Sequence, residues 1–148
     1  MSDVKKIRLS KFTTESGTNT DIDIHFQHFG QDYKNSPVVL VIHSLTGNSN
    51  VTGKSGWWSE IIGHGKVIDT NFFAVLAFNI PGNGYNNYFL DNYVEFHTGD
   101  IAKLFYLGLK KMKIDRLYAI IGGSIGGGIT WEMGCLYNNL ADNLIPVA

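Results

Sequence analysis

The sequence predicts an α/β domain, a mostly parallel central sheet with flanking helices and an antiparallel start. Three observations lead there. The runs at residues 38–42, 72–80 and 117–121 are almost continuously apolar, as expected of parallel strands buried on both faces. A stretch of helical periodicity, residues 98–113, stands between the second and third runs, and alternation of strands with helices argues a parallel sheet. The third run leads straight into Gly122-Gly123-Ser124-Ile125-Gly126 and then into a second helical stretch. At 148 residues the chain is one domain's worth.

In chain order, residues 4–12 mix polar and apolar side chains and read as a strand at a sheet edge. Residues 15–21 are a turn-rich break. Ile22, Ile24 and Phe26 then alternate with Asp23 and His25, the period-2 signature of a half-buried strand. Pro37 opens the first buried run, which ends at His43, and a loop over 44–56 follows. Residues 57–62 are expected to form a short helix and 72–80 the next strand. Residues 81–97 read as a long loop rich in Asn and aromatics, and loops of that length in a compact domain are usually functional or disordered. Over 98–113, Ile101, Leu104, Phe105, Leu109 and Met112 fall on one helical face. Asp100 stands in the first turn and Lys110, Lys111 and Lys113 at the end, which suits the helix dipole. Residues 117–121 are a strand, 125–138 a helix, and a further strand starts at Leu144.

Composition excludes several function classes. Hydrophobic residues make up 44% and charged residues 17%, with a net charge of −1. Nothing there suits nucleic acid or an anionic membrane. The N-terminal stretch lacks the apolar core of a signal peptide, and no apolar run approaches the ~18 residues of a membrane span. A cytoplasmic location is expected. Cys135 is the single cysteine, so no disulfide framework or thiolate metal cluster is available. Gly53-Lys54-Ser55 after a buried strand suggests a phosphate loop, but that motif requires glycine where Asn48 stands. The five histidines share no i, i+4 pair suited to a helical zinc site, and His25 and His28 fall on opposite faces of their strand. No metal is expected.

Chemistry concentrates at two places. G-x-S-x-G between an apolar strand and a helix is the setting of a nucleophile elbow, with Ser124 lifted to the upper edge of the sheet. Glycines are needed because such a turn is strained and its neighbours pack too closely for a Cβ. The second place is the loop after the first buried run, His43-Ser44-Leu45-Thr46-Gly47. With a serine nucleophile, acyl transfer needs two fixed amides for the charge that develops on the carbonyl oxygen. In the elbow arrangement these come from that loop and from the residue after the nucleophile. The expected donors are the backbone N–H groups of Leu45 and Ile125, converging near Ser124 Oγ.

These pieces together resemble the homoserine O-acetyltransferase branch of the α/β-hydrolase superfamily. The matching stretches are His43-Ser44-Leu45-Thr46-Gly47, Gly56-Trp57-Trp58 with Ile61-Ile62-Gly63, Gly65-Lys66 through Ile68-Asp69-Thr70, and Gly122 to Gly127. The resemblance covers residue 37 onward. It implies an α/β-hydrolase fold and a ping-pong acyltransferase of methionine biosynthesis. An acyl group would pass from acetyl-CoA, a substrate and not a bound cofactor, to Ser124 and then to the hydroxyl of homoserine or a similar alcohol. Ile125 stands where the family usually has methionine, and Pro81-Gly82-Asn83-Gly84-Tyr85 replaces its more usual Gly-rich, Ser/Thr-containing loop.

One departure is larger. In this fold the triad runs Ser, then Asp or Glu, then His, and all five histidines precede Ser124. The catalytic Asp and His are therefore expected outside this chain, which reads as the N-terminal part of a single α/β-hydrolase domain, truncated after about the sixth strand. The expected partners are small-molecule substrates together with a second copy or the missing C-terminal portion. A serine hydrolase or esterase of the same fold, and a non-catalytic scaffold, are the alternative readings.

Overall fold

The computed structural model describes residues 3–148. Strands β1 (Lys5–Thr13), β2 (Asn19–Gly30) and β3 (Val38–Ile42) come first. The short β4 (Ile62–Gly63) and β5 (Ile68–Asp69) precede β6 (Ala74–Phe78). Helix α1 (Thr98–Lys111), β7 (Leu117–Gly123), helix α2 (Ile125–Leu136) and β8 (Ala141–Val147) complete the order. Six strands form one sheet in the order β1-β2-β6-β3-β7-β8. The pairs β1–β2 and β2–β6 are antiparallel, and β6–β3, β3–β7 and β7–β8 are parallel. This is the mostly parallel α/β sheet that the three apolar runs predict.

Every residue of β3 and β6 is buried, because both faces of the sheet are covered at its centre. On one face α1 and α2 pack Leu104, Phe105, Leu109, Ile129 and Met133 against Ile24, Leu40, Leu76, Phe78 and Ile120. The other face carries Val39, Val41, Val75, Ala77, Ala119 and Ile121, and Val51, Ile62 and Trp58 close over it. That cover comes from the segment between β3 and β6, which includes the two-stranded β4–β5 ladder.

The N-terminus of α1 is fixed by Asp100. Its fully buried carboxylate accepts the N–H of His97 at 3.1 Å and that of Glu15 at 2.7 Å, which ties the helix start to the loop after β1. At the sheet edge β1 is bulged between Leu9 and Phe12. Its Lys6 and Arg8 pair with Asp23 at 3.2 and 3.3 Å. Lys103 and Lys111 of α1 reach across to the carbonyls of Thr13 (3.0 Å) and Arg8 (2.8 Å). Charges, a bulge and capped carbonyls are the devices that stop an edge strand from pairing further.

Three expectations need correction. Residues 57–61 form successive turns that lead into β4 at Ile62, not a helix; the Trp57 N–H donates to Asn50 O and the Trp58 N–H to Val51 O, which folds the segment back on residues 50–51. The second strand extends over Asn19–Gly30, since its first part pairs with β1 and its last part with β6, and backbone pairing needs no apolar alternation at the ends. The last strand begins at Ala141, three residues before Leu144. Its polar start, Asp142-Asn143, is held by an Arg116–Asp142 ion pair and by Asn143 Nδ2 donating to Tyr118 O at 2.9 Å.

Candidate active site

Ser124 stands between β7 and α2 with φ 55° and ψ −122°, a backbone region that non-glycine residues rarely occupy. The strain persists because the surroundings over-determine it. The Ser124 N–H donates to Val147 O at 2.8 Å, and the Ser124 carbonyl accepts the N–H groups of Gly127 (2.8 Å) and Gly128 (3.2 Å). A Cβ on Gly122 would lie 2.1 Å from Gly126 O, and one on Gly126 would lie 2.3 Å from Ile42 O. The first turn of α2 can therefore seat against β7 and β3 only without side chains. Thr130 Oγ1 donates to Gly126 O at 2.8 Å and closes that turn. The residue is exposed, and among the described residues no side chain hydrogen-bonds its hydroxyl.

The 43–47 loop leaves the neighbouring strand. Ile42 of β3 is paired in register with Gly122 of β7, so Leu45 and Ile125 each stand three residues beyond one matched pair. Both strands are parallel, and the two segments emerge side by side at their carboxyl ends, where ligands bind in open α/β sheets. Among the described residues neither the Leu45 nor the Ile125 amide has a protein acceptor. Ile125 is the first residue of α2, where the helix leaves its N–H groups open and carries partial positive charge. Leu45 is 68% exposed. Its side chain contributes nothing to the core.

Sequence reasoning missed what holds this loop. His43 is buried, and its ring joins three segments. The Ile80 N–H donates to Nε2 at 2.9 Å, with Asn83 Nδ2 also 3.3 Å away, and Nδ1 lies 2.6 Å from Ser44 O. Because Nε2 accepts the amide proton, the ring is neutral and donates from Nδ1–H. Burial holds the imidazole below its ordinary 6.5. Beneath it Asn79 Oδ1 accepts the Ser49 N–H at 2.9 Å, Asn79 Nδ2 donates to Ser49 Oγ at 2.9 Å, and Ser49 Oγ donates to Gln27 at 2.8 Å. Asn83 Nδ2 donates to Asn79 Oδ1 at 3.0 Å. The only hint in the sequence was polar residues at the ends of runs that are otherwise buried. On the opposite side the Trp58 ring lies 3.8 Å from where a Gly123 Cβ would stand, one residue before the serine.

With both ring nitrogens committed to backbone partners, His43 is not placed to take a proton from Ser124. Glu15, His97 and Asp100 do come together, with one ligand atom each within 4.8 Å of one another. Asp100 already accepts two backbone N–H groups there, and the positive end of α1 disfavours a cation. The cluster caps a helix.

A model of the alpha/beta hydrolase fold family matches residues 37–148. Homoserine O-acetyltransferase from Moorella thermoacetica is 28% identical over 90% of this chain and 41% of its own length. The enzyme of the same name from Methanosphaera stadtmanae is 32% identical over 84% of the chain and 29% of its own length. Among solved structures, homoserine O-acetyltransferase from Bacillus anthracis superposes with a TM-score of 0.87 at 24% identity, over 97% of this chain and 46% of that one. The acetyl esterase MekB superposes with a TM-score of 0.84 at 20% identity, over 99% and 44%. The chain thus spans less than half the length of the proteins it matches. Among the described residues no helix is long and apolar enough to cross a membrane.

Proposed function

The chain belongs to the alpha/beta-hydrolase fold family, and on that premise we propose that it supplies the nucleophile and oxyanion-stabilising amides of an acyltransferase of homoserine O-acetyltransferase type. The observation that carries this reading is the strained, exposed Ser124 on the turn after β7, with the Leu45 loop leaving the neighbouring parallel strand. Ser124 Oγ attacks the carbonyl carbon of a thioester, acetyl-CoA in this reading. The carbonyl oxygen becomes an oxyanion held by the Leu45 and Ile125 N–H groups, the C–S bond breaks, and the thiol leaves with the proton taken from the serine. The alcohol, homoserine or a close relative, then attacks the acetyl-serine, and the ester is released with Ser124 restored. Fixed amides favour the charged tetrahedral state without reorganising, typically by roughly 3–4 kcal/mol per donor.

His43 acts here as a positioning residue. Its neutral ring pins Ser44 to Ile80 and so fixes where the Leu45 amide points. The base that deprotonates Ser124 comes from outside these 148 residues in this reading, because the fold's order is Ser, acid, His and all histidines here precede Ser124. Hydrolysis is the second reading, since an acetyl esterase shares this fold. The two differ only in whether water or an alcohol reaches the acyl-serine.

Acetyl-CoA turnover by the 148-residue chain, compared with Ser124→Ala, tests the reading. Turnover that is at most weak is expected, since sites lacking a triad member keep only roughly 10³–10⁴-fold catalysis over water. Adding homoserine should divert the acetyl group from water to the alcohol. Strong turnover unchanged by Ser124→Ala would overturn the assignment.

A further inference from the structure

We propose that Asn83 is a second positioning residue of the site: its side-chain amide holds the Gly47 end of the Leu45 turn, as the His43 ring holds the Ser44 end. The hold itself needs only the hydrogen bonds below; that it serves catalysis rests on the acyl-transfer reading above.

The turn that carries Leu45 is closed by the Gly47 N–H donating to Ser44 O at 2.9 Å. His43 Nδ1 secures Ser44 O at 2.6 Å. At the other end, Gly47 O lies 3.4 Å from Asn83 Nδ2. The surroundings fix which way the Asn83 amide points. Its Oδ1 accepts the Tyr85 N–H at 3.1 Å. Its Nδ2 faces Asn79 Oδ1 at 3.0 Å, His43 Nε2 at 3.3 Å and Gly47 O at 3.4 Å. An amide nitrogen has two protons to give. The lone pair of His43 Nε2 is already taken by the Ile80 N–H at 2.9 Å, so the two go to Asn79 and Gly47. An oxygen in the place of Nδ2 would face acceptors only.

The loop after β6 is built to present this side chain. Pro81 and Gly82 are the central residues of a turn closed by the Asn83 N–H donating to Ile80 O at 3.2 Å, with φ 85° at Gly82. That is the type II pattern, which favours proline at its second position and needs glycine at its third. Gly84 follows at φ 71°, then Asn86 and Asn87 at 59° and 57°, left-handed values that asparagine adopts more readily than most side chains. Tyr88 ends the segment on β2. Its hydroxyl accepts the Asp23 N–H at 3.3 Å, and its ring meets the His25 ring edge-on at 4.3 Å. Residues 83–88 are therefore a strap, fixed to β2 at one end and to the Leu45 turn at the other. A group displaced by about 1 Å can lose roughly a hundredfold in rate, so an exposed turn that carries a catalytic amide needs holding at both ends.

The test compares the 148-residue chain with its Asn83→Ala and Asn83→Asp variants. Aspartate keeps an oxygen for the Tyr85 N–H and loses both Nδ2 donations; alanine loses all three bonds. Circular dichroism checks that both variants fold. Backbone nitrogen relaxation should give Leu45 an order parameter of about 0.85 in the parent and below about 0.6 in both variants, with Ile125 unchanged. Exchange of the Gly47 amide should quicken about tenfold or more in both, and that of Tyr85 in the alanine variant alone. A loosening in Asn83→Ala that Asn83→Asp does not share would show that the bond to Tyr85 matters and the one to Gly47 does not, which overturns the proposal. A Leu45 amide that stays rigid in both variants, or an Ile125 amide that loosens with it, overturns it too. Acetylation of Ser124 by p-nitrophenyl acetate, followed by intact mass, reads the chemistry separately. It should slow about tenfold or more in both variants, since a displaced amide no longer meets the oxyanion. Loosening of Leu45 with an unchanged acetylation rate keeps the hold and overturns the part of Leu45 in the acyl-transfer reading.

Discussion

Gly126 is seated against the end of β3 so closely that a Cβ would lie 2.3 Å from the carbonyl oxygen of Ile42. This contact joins the elbow helix to the strand that carries the other amide loop, and it sets the spacing of the two. Gly126→Ala should therefore cost about 1–3 kcal/mol by overpacking against backbone that has no room to give. Gly128→Ala, which meets nothing within 4 Å, should be neutral or stabilising by up to about 1 kcal/mol. Urea denaturation of the two variants checks the contrast.

Ser124 holds φ 55°, a conformation that glycine adopts without penalty. Ser124→Gly should raise stability by roughly 1 kcal/mol while removing acylation. Ser124→Ala keeps the strain and should unfold within about 0.5 kcal/mol of the parent, also without acylation. Equal stability of the glycine and alanine variants would show that the turn is not strained.

Asn79 and Ser49 share two hydrogen bonds within the buried network. Asn79→Ala strands the Ser49 N–H without a partner and should cost about 1–3 kcal/mol. Ser49→Ala breaks its bonds to Gln27 and Asn79 and should cost a similar amount. The double variant should cost less than the sum of the two, as a cycle of denaturation measurements would detect.

Burial holds both His43 and His25 below the ordinary 6.5. In the unfolded chain these histidines gain a proton below that value, while the folded chain stays neutral until a lower pH. The stability they lend is complete above about pH 6.5 and falls as pH drops from there toward the folded values. His43→Asn should flatten part of this slope, leaving the share due to His25. Asp21, Asp23 and Asp69 are held below their ordinary 3.8, so a second loss begins as pH falls below that value. Melting temperatures from pH 8 to pH 3 would trace both.

The sequence by itself determined the parallel core and the elbow. Runs such as Val38–Ile42 have no polar alternation because both their faces are covered, and composition alone records that. The turn at Ser124 is a matter of local sterics, written in the glycines around it. Edge and cover were not legible in the same way. β8 starts at the polar Ala141-Asp142-Asn143 because an edge strand buries too little to require apolar residues, so only its later apolar part could be read. Residues 57–62 carry apolar spacing that suits a helix, yet Trp57 and Trp58 give their amides to Asn50 and Val51, a choice made by the loop folding back on itself. His43 depended most on tertiary structure. Its partners Ile80 and Asn83 lie 37 and 40 residues further along the chain, and they meet its ring only because β3 and β6 pair in register. A lone histidine in sequence has no fixed protonation. Here a single backbone N–H, delivered by a neighbouring strand, makes it neutral and turns it into the clamp of the Leu45 loop.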